Sequence, residues 1–213
     1  MTNHDDIMPV FPALETYLKH ILQDTELSAG RQAILDPLAD YIAEKRRQGI
    51  PARLTFICTH NSRRSHFGQV WAQIAAHYYG VTPVECFSGG TETTACNPRT
   101  VAALERAGIR AQAISGGENP VWLLQYADGV NPIVAFSKVY DQAPNPTARF
   151  AAVMTCSHAE ANCPFIPGAE KRFSITYSDP KAADDTPEET DVYDARCRQI
   201  AAEMLYVFSR VRL

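Results

Sequence analysis

The spacing of apolar residues changes character near residue 51 of this 213-residue chain. Before it, Phe11, Leu14, Leu18, Ile21 and Leu22 recur at helical intervals behind Pro9 and Pro12. Ile34, Leu35, Leu38, Tyr41 and Ile42 do the same behind Ser28, a residue suited to cap a helix. These intervals predict an αα-hairpin over residues 1–50, ending near Gly49 and Pro51. Two such helices cannot own a core, so their stripe must pack on the rest of the chain or on a second copy. Beyond Pro51, short apolar runs alternate with amphipathic stretches. "RLTFIC" reads as a buried strand, followed by a helix from about Arg64 to Tyr79 with Phe67, Val70, Trp71, Ile74 and Tyr78 on one side. "PVECFSGG" reads as a second strand ending in glycines. "NPRTVAALERAG" reads as a second helix, with Pro98 in its first turn and Gly108 at its end. Strands and helices alternating at this length predict βαβ units and a parallel sheet, the α/β class.

The rhythm breaks between Ser115 and Arg149. "NPVWLLQYADGVNPIVAFSKVY" holds two apolar runs around Asp128-Gly129, with a second turn signal at Asn131-Pro132. It predicts a β-hairpin at a sheet edge, or a flap. "RFAAVMTC" then reads as a buried strand, "KRFSITYSDP" as a shorter one, and "TPEETDVYDARCRQIAAEMLYVFSRV" as a long C-terminal helix. The expected organisation is a helical extension over 1–50 and one α/β domain over 51–213, with an insertion at about 115–149.

Composition narrows the function classes. Hydrophobic residues make up 46% and charged residues 21%, the balance of an ordinary globular protein. A net charge of −4 gives no reason to expect nucleic acid as a partner. No apolar run approaches the ~20 residues of a membrane span, and the acidic N-terminus lacks a secretory pattern. The expectation is a cytoplasmic protein with no membrane partner. Cys58, Cys86, Cys96, Cys156, Cys163 and Cys197 are then reactive, metal-binding or buried rather than a disulfide framework. None shows C-x2-C spacing and the histidines do not cluster near them, so no metal site and no bound cofactor are expected.

The chemistry concentrates in "FICTHNSRRSHFGQ", Phe56 to Gln69. A loop that enters a helix leaves unpaired backbone N–H groups, which form an anion site before any side chain is added. The candidate cradle is Thr59, His60, Asn61, Ser62, Arg63 and Arg64, with Arg64 able to add a two-pronged guanidinium grip. The same field stabilises a thiolate at Cys58, and Ser65 can donate its hydroxyl to that sulfur. C-x5-R-S thus combines an oxyanion cradle with a nucleophile. A buried cysteine ahead of a basic helix cap would have the same spelling, but the position between strand and amphipathic helix favours the catalytic reading.

"FICTHNSRRS" resembles the phosphate-binding loop of the low-molecular-weight tyrosine phosphatase superfamily, and "FSGGTETTACNPRTVAALERAGI" resembles its second strand and helix. The resemblance covers about residues 53–110 and 150–208. It implies a three-layer α/β fold, a central parallel sheet with helices on both faces. Two chemistries share that scaffold. In the phosphatases the thiolate attacks a phosphate ester, an aspartate protonates the leaving oxygen, and water clears the phosphocysteine. In the thioredoxin-coupled arsenate reductases it attacks arsenate and further cysteines resolve the adduct. "VMTCSHAEANCPFIPGAEKRFSITYSDPKAADD" resembles the reductase branch. That resemblance implies Cys156 and Cys163 as the resolving relay, Asp179 as general acid and thioredoxin as the external reductant. The segment between the two cysteines must rearrange for them to join. Lys181-Ala182-Ala183 follows Asp179-Pro180 where the phosphatases carry tyrosines, which disfavours large aromatic substrates unless Tyr140 or Tyr177 supplies a wall. Arg63 stands where the family often has a small residue or a cysteine. Gln69 stands where some reductases carry a glutamate that helps hold potassium. The remaining alternatives are a phosphatase of the same fold and a non-catalytic binding module built on the hairpin and insertion. The insertion is expected either to close over the site or to form a homodimer interface.

Overall fold

The computed structural model describes residues 8–162 and 165–211. The chain runs through α1 (Pro12–Asp24), α2 (Ala29–Arg47), β1 (Ala52–Cys58), α3 (Arg64–Tyr78), β2 (Val84–Gly90) and α4 (Pro98–Arg106). There follow β3 (Arg110–Ala113), β4 (Trp122–Gln125), β5 (Ile133–Ala135), β6 (Phe150–Met154), α5 (Ser157–Asn162) and β7 (Ala169–Ser174). A 3-10 turn (Pro180–Ala183) leads into α6 (Glu189–Ser209).

The central sheet is parallel, in the order β2-β1-β6-β7. β1 and β6 lie in its middle, which explains why both read as unbroken apolar runs: a strand covered on both faces has no polar side. Alternate residues feed two cores, as a period of two requires. Leu54, Phe56, Ala151 and Val153 join the large core under α1–α4 and α6. Ile57, Phe150, Ala152 and Met154 join a smaller one with Cys58, Cys156, Ala159 and Ile166. The expected three-layer α/β fold is the one observed.

The hairpin packs on the body. Leu14, Leu18, Ile21, Leu35, Leu38 and Ile42 are buried in the large core, while Leu22 and Ile34, expected on the same stripe, face solvent. Ser28 caps α2 as expected, its Oγ accepting the Arg31 N–H at 3.3 Å.

The segment expected as an edge hairpin differs from expectation. β4 and β5 pair antiparallel around the predicted turn, but with β3 they make a separate three-stranded sheet. That sheet begins at Arg110, ahead of the expected boundary at 115. It is tied to the N-terminal extension by Phe11 N–H donating to the Tyr126 carbonyl at 2.9 Å. Past β5 the chain returns to the end of β2, where Gly90 and Val139 bridge in parallel.

Candidate functional site

Cys58 ends β1 and Arg64 opens α3, so the loop between them sits at the C-terminal edge of the sheet. Its carbonyls are all tied to the surroundings. Cys58 O accepts from Thr91 N at 3.1 Å, Thr59 O from Glu92 N at 2.8 Å, Ser62 O from Asn97 N at 3.0 Å and Arg63 O from Phe67 N at 3.0 Å. His60 O accepts from Ser137 Oγ at 2.9 Å, and Asn61 O from His66 Nε2 at 2.9 Å. A trans peptide that aims its C=O one way aims its N–H the other. Six anchored carbonyls fix the loop's backbone without using the amides of Thr59 through Arg64 in these bonds, and such amides are the donors an anion cradle needs. Gly90 permits the packing that achieves this. A Cβ there would lie 2.6 Å from Thr59 O and 2.8 Å from Asn61 N, backbone atoms that cannot yield.

Asn61 sets the direction of the hydrogen bonds around the thiol. Its φ of 45° lies in the left-handed region that asparagine tolerates better than most residues. Its Oδ1 accepts from the backbone N–H of Lys138 at 3.0 Å, and that group can only donate. Nδ2 is thereby left facing Ser65 Oγ at 2.9 Å. The Ser65 oxygen accepts from the amide, so its own proton is free for Cys58 Sγ at 3.1 Å.

Behind the loop lies a buried network that the sequence did not announce. His66 is wholly buried, and the single hydroxyl proton of Ser88 is in reach of two acceptors, His66 Nδ1 at 3.2 Å and Gln69 Oε1 at 2.7 Å. Burial, and then the nearby Lys138 ammonium, push His66 down to about 3, so it is neutral and donates Nε2–H to the loop. Lys138 is itself 3% exposed, and desolvation pushes it down to about 8. Gln69 Nε2 donates to the carbonyls of Cys86 and Val134, at 3.2 and 3.4 Å. An amide donating to carbonyls, beside a buried ammonium, is a donor set that does not fit a potassium ion. No cluster of metal-ligating side chains occurs among the described residues.

Arg64 Nη2 meets Asp179 Oδ2 at 2.5 Å, and Nη1 donates to Tyr177 O at 3.0 Å. Its Nε is buried with no hydrogen-bond partner among the described residues. Asp179 also caps the 3-10 turn through Lys181 N at 3.1 Å. The Arg63 guanidinium is engaged elsewhere, by Tyr193 OH at 2.6 Å and Asp184 at 3.0 Å. What Arg63 offers the cradle is its backbone. His60 is 3.6 Å from Glu92, at the rim. With Ser62, Thr94, Asn97 and Lys181 it lines a polar cleft beside the loop.

Cys156 follows β6, the neighbour of β1, and is 1% exposed. Its sulfur lies 3.5 Å from Thr59 Oγ1 and accepts the Ala159 N–H at 3.3 Å, at the start of α5. Thr59 Oγ1 is also 3.4 Å from His158 Nδ1. The structure thus brings Cys58, Ser65, Arg64, Asp179 and Cys156 to one end of the sheet. Cys163 lies outside the described residues. Cys86, Cys96 and Cys197 stand apart, and burial raises all three thiols, Cys96 and Cys197 to about 12. Of the two suggested aromatic walls, Tyr177 is closed off and Tyr140 is partly buried. Tyr177 is 6% exposed with its hydroxyl on Glu203, and Tyr140 packs against the smaller core.

No family model matches the chain. Among curated proteins it is similar to an arsenate reductase of Halalkalibacterium halodurans, 27% identical over 154 residues that cover 72% of this chain and 92% of that protein. It is 32% identical over 126 residues to an arsenate reductase of Staphylococcus aureus, covering 59% of this chain and 76% of that one. The chain belongs to the arsenate reductase family. The resemblance read from the loop is borne out, and with it the expectation of an enzyme. Among solved structures, a low-molecular-weight phosphotyrosine phosphatase from Vibrio cholerae aligns with a TM-score of 0.49 and 12% identity, covering 74% of this chain and 95% of that one. No described helix is long and apolar enough to cross a membrane.

Proposed function

We propose that this enzyme of the arsenate reductase family reduces arsenate to arsenite through Cys58, with Cys156 and Cys163 as a relay and thioredoxin as the final reductant. The observation that carries the reading is Cys156 Sγ at 3.5 Å from the hydroxyl of Thr59, the residue next to Cys58, within one buried cluster. Hydrolysis through a phosphocysteine needs one thiol and water, whereas a resolving relay needs a second thiol at that place.

The Cys58 thiolate, supported by the Ser65 hydroxyl, attacks arsenic while the loop amides and Arg64 hold the oxyanion. Arg64 Nη2 must leave Asp179 to do so, which exchanges one carboxylate for the incoming anion; the freed carboxylate takes the proton of the bound hydrogen arsenate and delivers it to the departing oxygen, which leaves as water. Cys156 then attacks Cys58 Sγ. An S–S bond forms as the S–As bond breaks, its electron pair reduces As(V) to As(III), and arsenite departs. Cys163 next attacks Cys156, releasing Cys58 and leaving a Cys156–Cys163 disulfide for thioredoxin. α5 occupies the stretch between Cys156 and Cys163, and a disulfide needs their Cα atoms within about 7 Å, so this exchange requires that short helix to open. On this reading the enzyme works in the cytoplasm as one α/β unit over 51–213, with 1–50 as an extension and 115–149 inserted.

The test is a single turnover of fully reduced protein with arsenate and no reducing partner, read by mass spectrometry. Loss of two thiols, a Cys156–Cys163 disulfide and one equivalent of arsenite are expected. Retention of all six thiols beside steady aryl phosphate hydrolysis would overturn the reductase in favour of a phosphatase.

A further inference from the structure

The N-terminal hairpin reaches the underside of the candidate site through one side chain. Arg31, in the first turn of α2, grips Glu203 of α6 with two prongs, Nε to Oε1 at 2.8 Å and Nη2 to Oε2 at 2.7 Å. Glu203 is 1% exposed, and the same Oε2 accepts the Tyr177 hydroxyl at 2.8 Å. Arg31 also lies over the Tyr177 ring, 5.0 Å from its centre, and Nη2 is 3.4 Å from the Thr176 carbonyl. Tyr177 is thus clamped from below. Its own carbonyl holds Arg64 Nη1, and Asp179 two residues on holds Nη2.

A buried ion pair is a poor device for stability, because an apolar pair of like volume often does as well. What a two-pronged pair fixes is geometry. Here it fixes a stretch of extended backbone that carries both partners of the oxyanion-binding arginine. We propose that Arg31 is a positioning residue for the oxyanion site, and that the helical hairpin serves by locking Thr176–Asp179, and through them Arg64, in register with the loop. This rests on the reading of Arg64 and the loop as the oxyanion cradle.

The experiment follows protection of Cys58 from iodoacetamide by inorganic phosphate or arsenate, mapped by peptide mass, in the full chain. Wild-type protein is expected to show saturable protection by either anion. Absence of protection there would sink the cradle itself, and this proposal with it. The double variant Arg31→Met/Glu203→Gln removes both charges together and leaves no buried carboxylate unpaired. It is expected to stay folded by thermal denaturation yet to need roughly tenfold more anion for half-protection, the worth of one charge-assisted hydrogen bond misaligned. Unchanged anion dependence in the folded double variant would overturn the proposal. If that variant does not fold, Arg31→Lys decides instead. It keeps the charge but not the two-pronged grip, so weaker protection supports the positioning role and wild-type protection refutes it.

Discussion

Asn61 offers the sharpest test of how the thiol environment is built. Asn61→Ala removes the acceptor of the buried Lys138 N–H and the donor to Ser65 Oγ, and places alanine at a φ of 45°. A stranded buried N–H costs about 1–3 kcal/mol and the lost amide–hydroxyl bond about 1 kcal/mol. The left-handed backbone adds about 1 kcal/mol. The total, roughly 3–5 kcal/mol, is a large part of the ~5–15 kcal/mol that holds a typical domain together. Urea denaturation should show the midpoint falling accordingly with the slope unchanged. Asn61→Gly should recover about 1 kcal/mol of that loss, the conformational share. Asn61→Asp separates stability from chemistry. Aspartate still accepts from Lys138 but cannot donate to Ser65, so the serine proton turns toward the carboxylate and away from Cys58. A negative charge enters the loop as well. That variant should fold better than Asn61→Ala, yet Cys58 should alkylate at least about tenfold more slowly at neutral pH, the worth of one hydrogen bond to a charged sulfur, about 1.5 kcal/mol. Wild-type alkylation in a folded Asn61→Asp variant would refute the hydrogen-bond directions assigned around Ser65.

Other consequences follow from the same contacts. His66 ordinarily titrates at 6.5 but is held at about 3 in the fold, so between those values the unfolded chain binds the extra proton. Stability should therefore be intact above pH 6.5 and fall by up to about 1.4 kcal/mol per pH unit below it. A denaturation series from pH 7 to 4 should show this slope flattened in His66→Gln. Asp179→Ala frees Arg64 of its carboxylate partner, so phosphate should protect Cys58 at lower concentration while single-turnover arsenate reduction slows about 100-fold or more, as loss of a general acid predicts. Tighter turnover with no loss of rate would deny Asp179 its role. Gly90→Ala drives a methyl into Thr59 O and Asn61 N, and should cost a few kcal/mol by denaturation together with a slower Cys58.

The legible parts of this protein are those whose determinants lie close together in the chain. The strand, loop and helix around Cys58 are contiguous in the chain, so the C-x5-R-S pattern of Cys58, Arg64 and Ser65 was visible there, although the loop's carbonyls are held by distant Thr91, Glu92, Asn97 and Ser137. The helices of the extension and the long α6 were equally plain, because periodicity is local. Family resemblance suggested roles for Cys156, Cys163 and Asp179, where spacing alone left alternatives open; the structure places Cys156 and Asp179 at the same end of the sheet as Cys58, and Cys163 lies outside the described residues.

What tertiary structure decided is which groups meet across long separations. Lys138 reaches Asn61 over 77 positions, Arg63 reaches Tyr193 over 130, and Arg31 reaches Glu203 over 172. Glu203 did leave one trace, a carboxylate among Ile200, Ala201, Met204 and Leu205 on a buried helix face. No periodicity names its partner. The same limit explains Arg63, which looked like a cradle side chain beside Arg64 and instead turns to Tyr193 and Asp184. It explains the second sheet too, since strands of three or four residues carry little pattern and pair only because distant segments place their edges together. Local backbone preference wrote the nucleophile's loop into the sequence, whereas the charges and amides that orient it come from residues that only folding makes neighbours.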